Sequence, residues 1–459
     1  MIVLAKSKTE LPKDEDELRN ISKTSWISKL GEAILVDHLL PVIEPYFDPG
    51  QCGGLKGSSI EHYLVRILDF IHRTLDSRVP HAAVLGTQDL SKAYNRGSHP
   101  LVIEDLHAMH APKWILATIC SYLSGRSMVL SHGGATAAPR DLPGGYGQGT
   151  LLGGVLFLVK FNGACLRPAI PRPISGNSVV KVKYIDDSTQ VASVNLAESL
   201  VRDPVERPRP LGRQERTQTV LKAEENALQD ELDNFDAFAR QNKFVVNEKK
   251  CFVMKFSRAK SHDFPPEFTV GGSEILQEKT TLKILGIQIQ SNLRWDAQVA
   301  QMVGRATRTI WALRRMKALG VDQATLVQFW CSEGRVHLEA ACQVWNGAIT
   351  AAQSRALSRV QRVAMAAISG SWDRSHSGQL RRLSLEPLPE RRTRLCRRWA
   401  RRTATGSKSR HRDLFEVAQY GRAEGRSGRP RPCYREPHAR TAGYAKSALP
   451  YLTGLLNNI

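Results

Sequence analysis

The stretch that decides the fold is Val179-Val180-Lys181-Val182-Lys183-Tyr184-Ile185-Asp186-Asp187-Ser188-Thr189-Gln190-Val191-Ala192-Ser193. Val180, Val182 and Tyr184 alternate with Lys181, Lys183 and Ile185, which is the period of a half-buried strand, and Val191 and Val194 mark a returning partner. Asp186 and Asp187 then crown a hairpin. Adjacent carboxylates at a strand tip repel each other, and a shared divalent cation relieves that repulsion. A solvated Asp-Asp turn would use the same two residues, so the choice between the two rests on the remainder of the chain.

Upstream, the run Ala82-Ala83-Val84-Leu85-Gly86-Thr87-Gln88-Asp89-Leu90 reads as a second strand that ends at Asp89. A strand-end acid that meets a hairpin acid on a neighbouring strand can hold two divalent ions. Such a pair activates an attacking hydroxyl and stabilises a leaving oxygen in an in-line displacement. Helical patterns run over Ser25 to Tyr46, Ile60 to Leu75 and Pro112 to Ser124. A Gly-rich turn, Gln51 to Ser59, precedes the second of these, and a Gly-dense turn after Leu142 opens an apolar helix ending near Phe161. The Pro/Arg-rich segment Arg202 to Arg213 reads as a surface insertion. Leu221, Leu228, Leu232, Phe235 and Phe238 form a core-facing helical stripe. Strand-like runs at Phe244 to Phe256 and Leu282 to Ile289 lead to a long helical region from Ala297 to Ile368, and 421–437 reads as flexible.

A chain of 459 residues can bury several cores, so two to four subdomains are expected. Its formal charge of +21 and pI near 9.8 point to a polyanionic partner. Between Arg381 and Arg440 stand 18 Lys and Arg against 6 Asp and Glu, a net +12 that favours phosphate contact, with Trp399 and Tyr434 available to stack on bases. Removal of everything beyond Gly370 is then expected to weaken nucleic-acid binding and to leave the carboxylate site in place. None of the eight cysteines falls at zinc-ligand spacing. With no signal peptide, reduced thiols and an intracellular place, nuclear and/or cytoplasmic, are expected. The longest apolar stretch, Leu151 to Val159, is interrupted by Gly153 and Gly154 and is too short to span a bilayer, so no membrane role is expected.

Seven blocks, in order, resemble the reverse transcriptases, and more narrowly the polymerases of jockey-like non-LTR retrotransposons. Leu18-Arg19-Asn20-Ile21-Ser22 and Gln51 to Ser59 are similar to two fingers motifs. Asp89 to Asn95 resembles motif A, Gly145 to Thr150 motif B, Tyr184 to Asp187 the Y-x-D-D of motif C, Asn247 to Cys251 motif D, and Leu285-Gly286-Ile287 motif E. Leu338 to Trp345, Val360 to Ala364 and Ser447 to Leu452 resemble segments that follow the thumb in the same family.

The resemblance implies an α+β right-hand polymerase that extends a primer 3′-hydroxyl with dNTPs on an RNA template. Its divisions would be fingers over 1–85, a palm with an antiparallel sheet over 86–280 with an insertion near 200–216, motif E and a helical thumb over 281–370, and a basic α-helical extension over 371–459. By the same resemblance Asp89, Asp186 and Asp187, with the Leu90 carbonyl, would hold two Mg2+ ions, Mn2+ being a substitute. Lys250 would meet the departing pyrophosphate, Tyr94 would exclude a 2′-hydroxyl, and Gln148 and Gly149 would approach the templating pair. Arg19, Lys56 and Tyr184 would contact nucleotide or template. The implied partners are an RNA template, a DNA primer or target and dNTPs, without the endonuclease such elements usually carry; the sequence sets no oligomeric state. The chain departs from the family at Asn20, Asn95, Gly147 and Gly153-Gly154. These departures keep a second reading open: a catalytically silent nucleic-acid-binding protein derived from such an element.

Overall fold

The computed structural model describes residues 2–5, 18–78, 81–132, 135–165, 178–195, 228–258, 268–271, 274–275, 277–370, 376–421 and 431–458. The 200–216 insertion and most of 421–437 lie outside the described residues, as does the start of the stripe that opens at Leu221.

A five-stranded sheet forms the centre, in the order Gln277–Glu278, Phe252–Phe256, His81–Gln88, Asp187–Asn195 and Ser178–Tyr184. All neighbours are antiparallel except the short Gln277–Glu278 strand. The sheet is covered on both faces. Helix Ile60–Asp76 packs Tyr63, Leu64, Ile67 and Ile71 into one cluster with Leu85, Val180, Val182, Val191 and Met254. On the other face Leu228 and Leu232, from a helix over 228–241, meet Val84, Ala192 and Val253. Double coverage corrects the half-buried reading of the hairpin. Lys183, placed by alternation on an outer face, has no exposed surface. Its ammonium is held by the Asn162 carbonyl at 2.7 Å and by Asp48 at 3.2 Å, as a buried charge requires.

The second cluster gathers Leu35, Leu39 and Ile43 from helix Trp26–Ile43 around the apolar helix Leu151–Phe161. Glu32 is buried among them. One of its carboxylate oxygens accepts from the Leu152 backbone N–H at 3.1 Å and the other from the Tyr122 hydroxyl at 3.2 Å. An anion at a helix N-terminus satisfies an otherwise orphaned donor and complements the helix dipole.

A hairpin, Thr281–Ile284 with Ile287–Gln290, turns through Leu285 and Gly286 at positive φ and leads into helix Asp296–Ala318. That helix pairs with Ala351–Ser369, which is opened by a Thr350/Gln353 capping box and closed by Gly370 at φ +80°. The segment after Gly370 returns into this same core. Leu388, Cys396, Ala400, Leu449 and Leu452 are buried with Trp345, Leu357 and Met365. Arg392, fully buried on helix Leu388–Thr405, donates to Asn346 Oδ1 at 2.8 Å and to Ser354 Oγ at 2.9 Å. Tyr434 is buried, and Trp399 packs its ring at 4.6 Å from His62 and 6.4 Å from Phe415. The expectation that these two rings stack on bases is therefore corrected for Tyr434, and Trp399 spends most of its ring on the core.

Buried imidazoles lock this return onto helix Ile60–Asp76. Ser58 Oγ lies 2.7 Å from His411 Nε2, His62 Nε2 lies 2.9 Å from Thr403 Oγ1, and Arg66 reaches Asp413 at 2.7 Å. Burial, with the Arg66 guanidinium second, holds His62 down at about 3 and His411 at about 2, both far below the ordinary histidine value. The unfolded chain therefore takes up protons before the folded one does. The contribution is complete above about pH 6.5 and is lost as pH falls from there toward about 3 for His62 and about 2 for His411. At pH 5 we expect a loss of about 2 kcal/mol for each histidine. Thermal denaturation at pH 7 and pH 5 checks it: the fall in Tm should be clearly smaller in a His62→Gln/His411→Gln variant than in the parent.

Candidate active site

The register of the central sheet brings the acids together. Gln88 pairs with Ser188, so the next step along each strand sets Asp89 opposite Asp187, and Tyr184 closes the hairpin against Asp187. Ile185 and Asp186 are the two turn residues, with Ile185 at φ +60°. Positive φ at a β-branched residue costs of order 1–3 kcal/mol and persists only where neighbours enforce it. Here the enforcing neighbour is the Gly-rich turn. Cys52 N–H donates to the Lys183 carbonyl at 2.8 Å, Lys183 N–H donates to the Gly50 carbonyl at 2.9 Å, and a Cβ on Gly53 would lie 2.5 Å from Ile185 N. Only glycine fits at residue 53.

The carboxylates feel one another. Burial first, then the charges of Asp186 and Asp89, push Asp187 up to about 7, against the pull of Lys250. Three hard oxygen donors in mutual repulsion suit a hard divalent cation. Among the described residues no set of three or more acidic, histidine or cysteine side chains already forms a metal cage.

Lys250 reaches this place because the strand-like run Phe244 to Phe256 is broken. Residues 245–247 run beside 89–91, with Asn247 N–H donating to the Asp89 carbonyl at 2.8 Å and Ser91 N–H to the Val245 carbonyl at 2.7 Å. A single 3-10 turn, Glu248–Lys250, then precedes strand Phe252–Phe256. Lys250 Nζ donates to Asp89 Oδ2 at 2.7 Å. The lysine side chain is 57% exposed, so the pair contributes little stability and is free to exchange partners. Leu90 faces Val246 in an isolated bridge whose hydrogen bonds belong to its neighbours, so its carbonyl stands outside that ladder.

Tyr94 lies stacked on Phe157 of helix Leu151–Phe161, with ring centroids 4.5 Å apart. Burial and then the Asp186 charge raise its hydroxyl to about 12. The Gly-dense turn docks directly on this segment. Tyr146 N–H donates to the Tyr94 carbonyl at 2.9 Å, Gly145 N–H donates to the Gly97 carbonyl at 2.7 Å, and the buried Tyr146 hydroxyl donates to the Ser98 carbonyl at 3.1 Å. Gly147, at φ +72°, holds a conformation that proline cannot adopt, and a Cβ on Gly153 would collide with the Tyr146 carbonyl. Two of the departures from the family pattern thus match the shape of the turn.

The Gln148 carbonyl accepts from Ser22 N–H at 2.7 Å, and Gly149, at φ +100°, lies against Ile21 and Ser22. Strand Leu18–Ile21, which carries Arg19, is thereby tied to that turn. Tyr184 packs edge-on to Tyr63 at 6.3 Å. Lys56 is exposed, and its neighbours Gly57 and Ser58 contact residues 408–411 of the returning segment, away from the sheet. The structure therefore joins Asp89, Asp186, Asp187, Lys250 and Tyr94 in one place, sets Gln148 and Gly149 beside the Arg19 strand, and leaves Lys56 elsewhere. Sequence reasoning missed three supporting residues: Gly53, Phe157 and Glu32. Only Gly53 carried a local signal, as part of a Gly-rich turn.

Residues 11–289 match the family described as reverse transcriptase (RNA-dependent DNA polymerase). The chain is 21% identical over 320 residues to the RNA-directed DNA polymerase from mobile element jockey of Drosophila funebris, covering 68% of this chain and 31% of that protein. Its counterpart in Drosophila melanogaster is 20% identical over 310 residues, covering 67% and 30%. The chain thus spans about a third of the length of these curated relatives. Among solved structures, telomerase from Candida tropicalis in complex with the TWJ fragment of telomeric RNA aligns with a TM-score of 0.40 and 11% identity, over 79% of this chain and 48% of that one. The match covers more than half of the chain and includes the strand ends that carry Asp89, Asp186 and Asp187, so the chain belongs to the reverse transcriptase family.

Proposed function

We propose that this chain is an RNA-directed DNA polymerase that extends a primer 3′-hydroxyl with dNTPs on an RNA template. The observation that carries the reading is the meeting of Asp89, Asp186 and Asp187 on adjoining strand ends, where burial and then the charges of Asp186 and Asp89 hold Asp187 up at about 7. Asp89, Asp186 and Asp187, with the Leu90 carbonyl, would hold two Mg2+ ions, which when bound supply activation of the hydroxyl and neutralisation of charge on the phosphates. Lys250, paired with Asp89 through an exposed ammonium, would release that partner and donate a hydrogen bond or a proton to the departing pyrophosphate. Gln148 and Gly149 would lie under the templating pair, with the Arg19 strand beside them. Guanidinium suits a triphosphate better than ammonium because its fork donates two parallel hydrogen bonds.

Primer extension with purified protein, magnesium, a poly-ribonucleotide template and separate dNTP and NTP mixes tests the reading. Incorporation of dNTPs alone is expected. Binding of primer-template with no incorporation would leave a nucleic-acid-binding protein instead. Sugar choice is assigned to Tyr94, whose ring is fixed against Phe157 beside Asp186. Tyr94→Ala should raise ribonucleotide use relative to deoxynucleotide use by roughly tenfold or more, the worth of a relieved steric clash. Equal kcat/KM ratios in parent and variant would return Tyr94 to a packing role.

A further inference from the structure

A cavity of about 730 Å³ opens between the end of the Gly-rich turn and the returning C-terminal segment. Its cationic lining comes from Arg398 and Arg402, one turn apart on helix Leu388–Thr405, and from Lys408 in the turn that follows. Ser58, Ser407 and Ser409 add hydroxyls, and no acidic side chain lines it among the described residues. Elsewhere on the same helix Arg391 is paired with Glu339 and Arg394 with Glu386, whereas Arg398, Arg402 and Lys408 have no acidic partner among the described residues. Three like charges around one hollow repel each other, and a polyanion in the hollow removes that cost.

The shape is enforced. A Cβ on Gly57 would collide with the Lys408 carbonyl, and Ser58 Oγ is held 2.7 Å from His411 Nε2, so the turn and the returning segment are fixed as the two walls. The walls are also joined to the carboxylate site. The same turn begins at Gln51 to Gly53 against the hairpin and ends at Ser58 and Ser59 in the cavity wall.

We infer that this cavity is a second phosphate-binding site, separate from the carboxylates, in which Arg398, Arg402 and Lys408 grip the phosphodiester backbone of a nucleic-acid strand. The inference rests on the proposed function for its ligand class, and its test reads binding alone, so that it fails or succeeds whether or not the chain synthesises DNA. A strand is favoured over a mononucleotide because the cations come from two elements along an open hollow.

The test uses the full chain and a short fluorescent single-stranded RNA, with affinity measured against salt concentration. Loss of two phosphate contacts in Arg398→Gln/Arg402→Gln should reduce the magnitude of the slope of log K against log salt by about 1.4, at about 0.7 per contact. Lys408→Gln, on the turn and outside the helix, should reduce it by about 0.7. Arg397→Gln/Arg401→Gln alters two exposed arginines of the same helix that do not line the cavity, and should leave the slope within error of the parent. A slope unchanged in the cavity variants, or changed equally in the control pair, overturns the site. Competition by inorganic phosphate or a dNTP at concentrations close to those of the strand's own phosphates overturns the assignment of a strand.

Discussion

Asp186→Asn should slow primer extension by about three orders of magnitude while leaving the fold intact or slightly firmer. The substitution keeps the volume and the turn but removes the charge that, after burial, does most to hold Asp187 up at about 7. Relief of that repulsion favours the folded state, so Tm should be equal to or above the parent value. The same change removes a hard anionic donor from a site whose work is charge stabilisation in an in-line displacement. A loss of about three orders of magnitude in kcat is expected, roughly 4 kcal/mol in the barrier. The two signs are opposite, and that separates a functional role from a structural one. A residue that merely caps a turn would lose stability and leave kcat nearly unchanged. Single-turnover primer extension together with a thermal melt decides between them, and retained synthesis would remove Asp186 from the site.

Such a prediction was within reach of the sequence because its signals are local. Alternation over 178–184, the Asp186-Asp187 pair and the apolar run to Asp89 each report on a few consecutive residues, and the structure places all three on the central sheet. The turn at Gln51 to Ser59 was equally visible as a turn, since glycine permits backbone paths that other residues resist. What escaped was pairing over long separations. Lys183 follows the alternation of an exposed position, and only the distant Asn162 carbonyl and Asp48 carboxylate make it a buried cation. Glu32 reads as an ordinary helical acid, and its partner is the N-terminus of a helix beginning 119 residues later at Leu151. The strand-like run over 244–256 looked continuous because the 3-10 turn at Glu248–Lys250 leaves no breaker in the sequence, yet that turn is what presents Lys250 to Asp89. The basic segment misled for a related reason. A helix rich in arginine can still bury one narrow face, and here Leu388, Arg392, Cys396, Ala400 and Thr403 form it at helical spacing.

That buried face reverses the expectation for truncation. A protein ending at Gly370 should fail to fold as a cooperative unit, and so lose the carboxylate site along with the basic surface. Leu388, Phe415, Leu449 and Leu452 leave the same core that holds Trp345, Leu357 and Met365. At about 1.5–3 kcal/mol for each fully buried large side chain, these four alone represent roughly 6–12 kcal/mol, against a net stability of roughly 5–15 kcal/mol for a whole domain. Removal would also strip Arg391 from Glu339 and leave Asn346 and Ser354 without the Arg392 guanidinium. A milder change probes the same packing without deletion. Leu452→Ala should cost about 2–5 kcal/mol, the usual range for a large-to-small change in a core, with primer binding at low temperature preserved. Soluble yield, a thermal melt and limited proteolysis read both variants. Were the truncated protein to melt cooperatively within a few degrees of the parent, the returning segment would be an appendage to the fold, and the clustered arginines would again be best explained as a detachable tail.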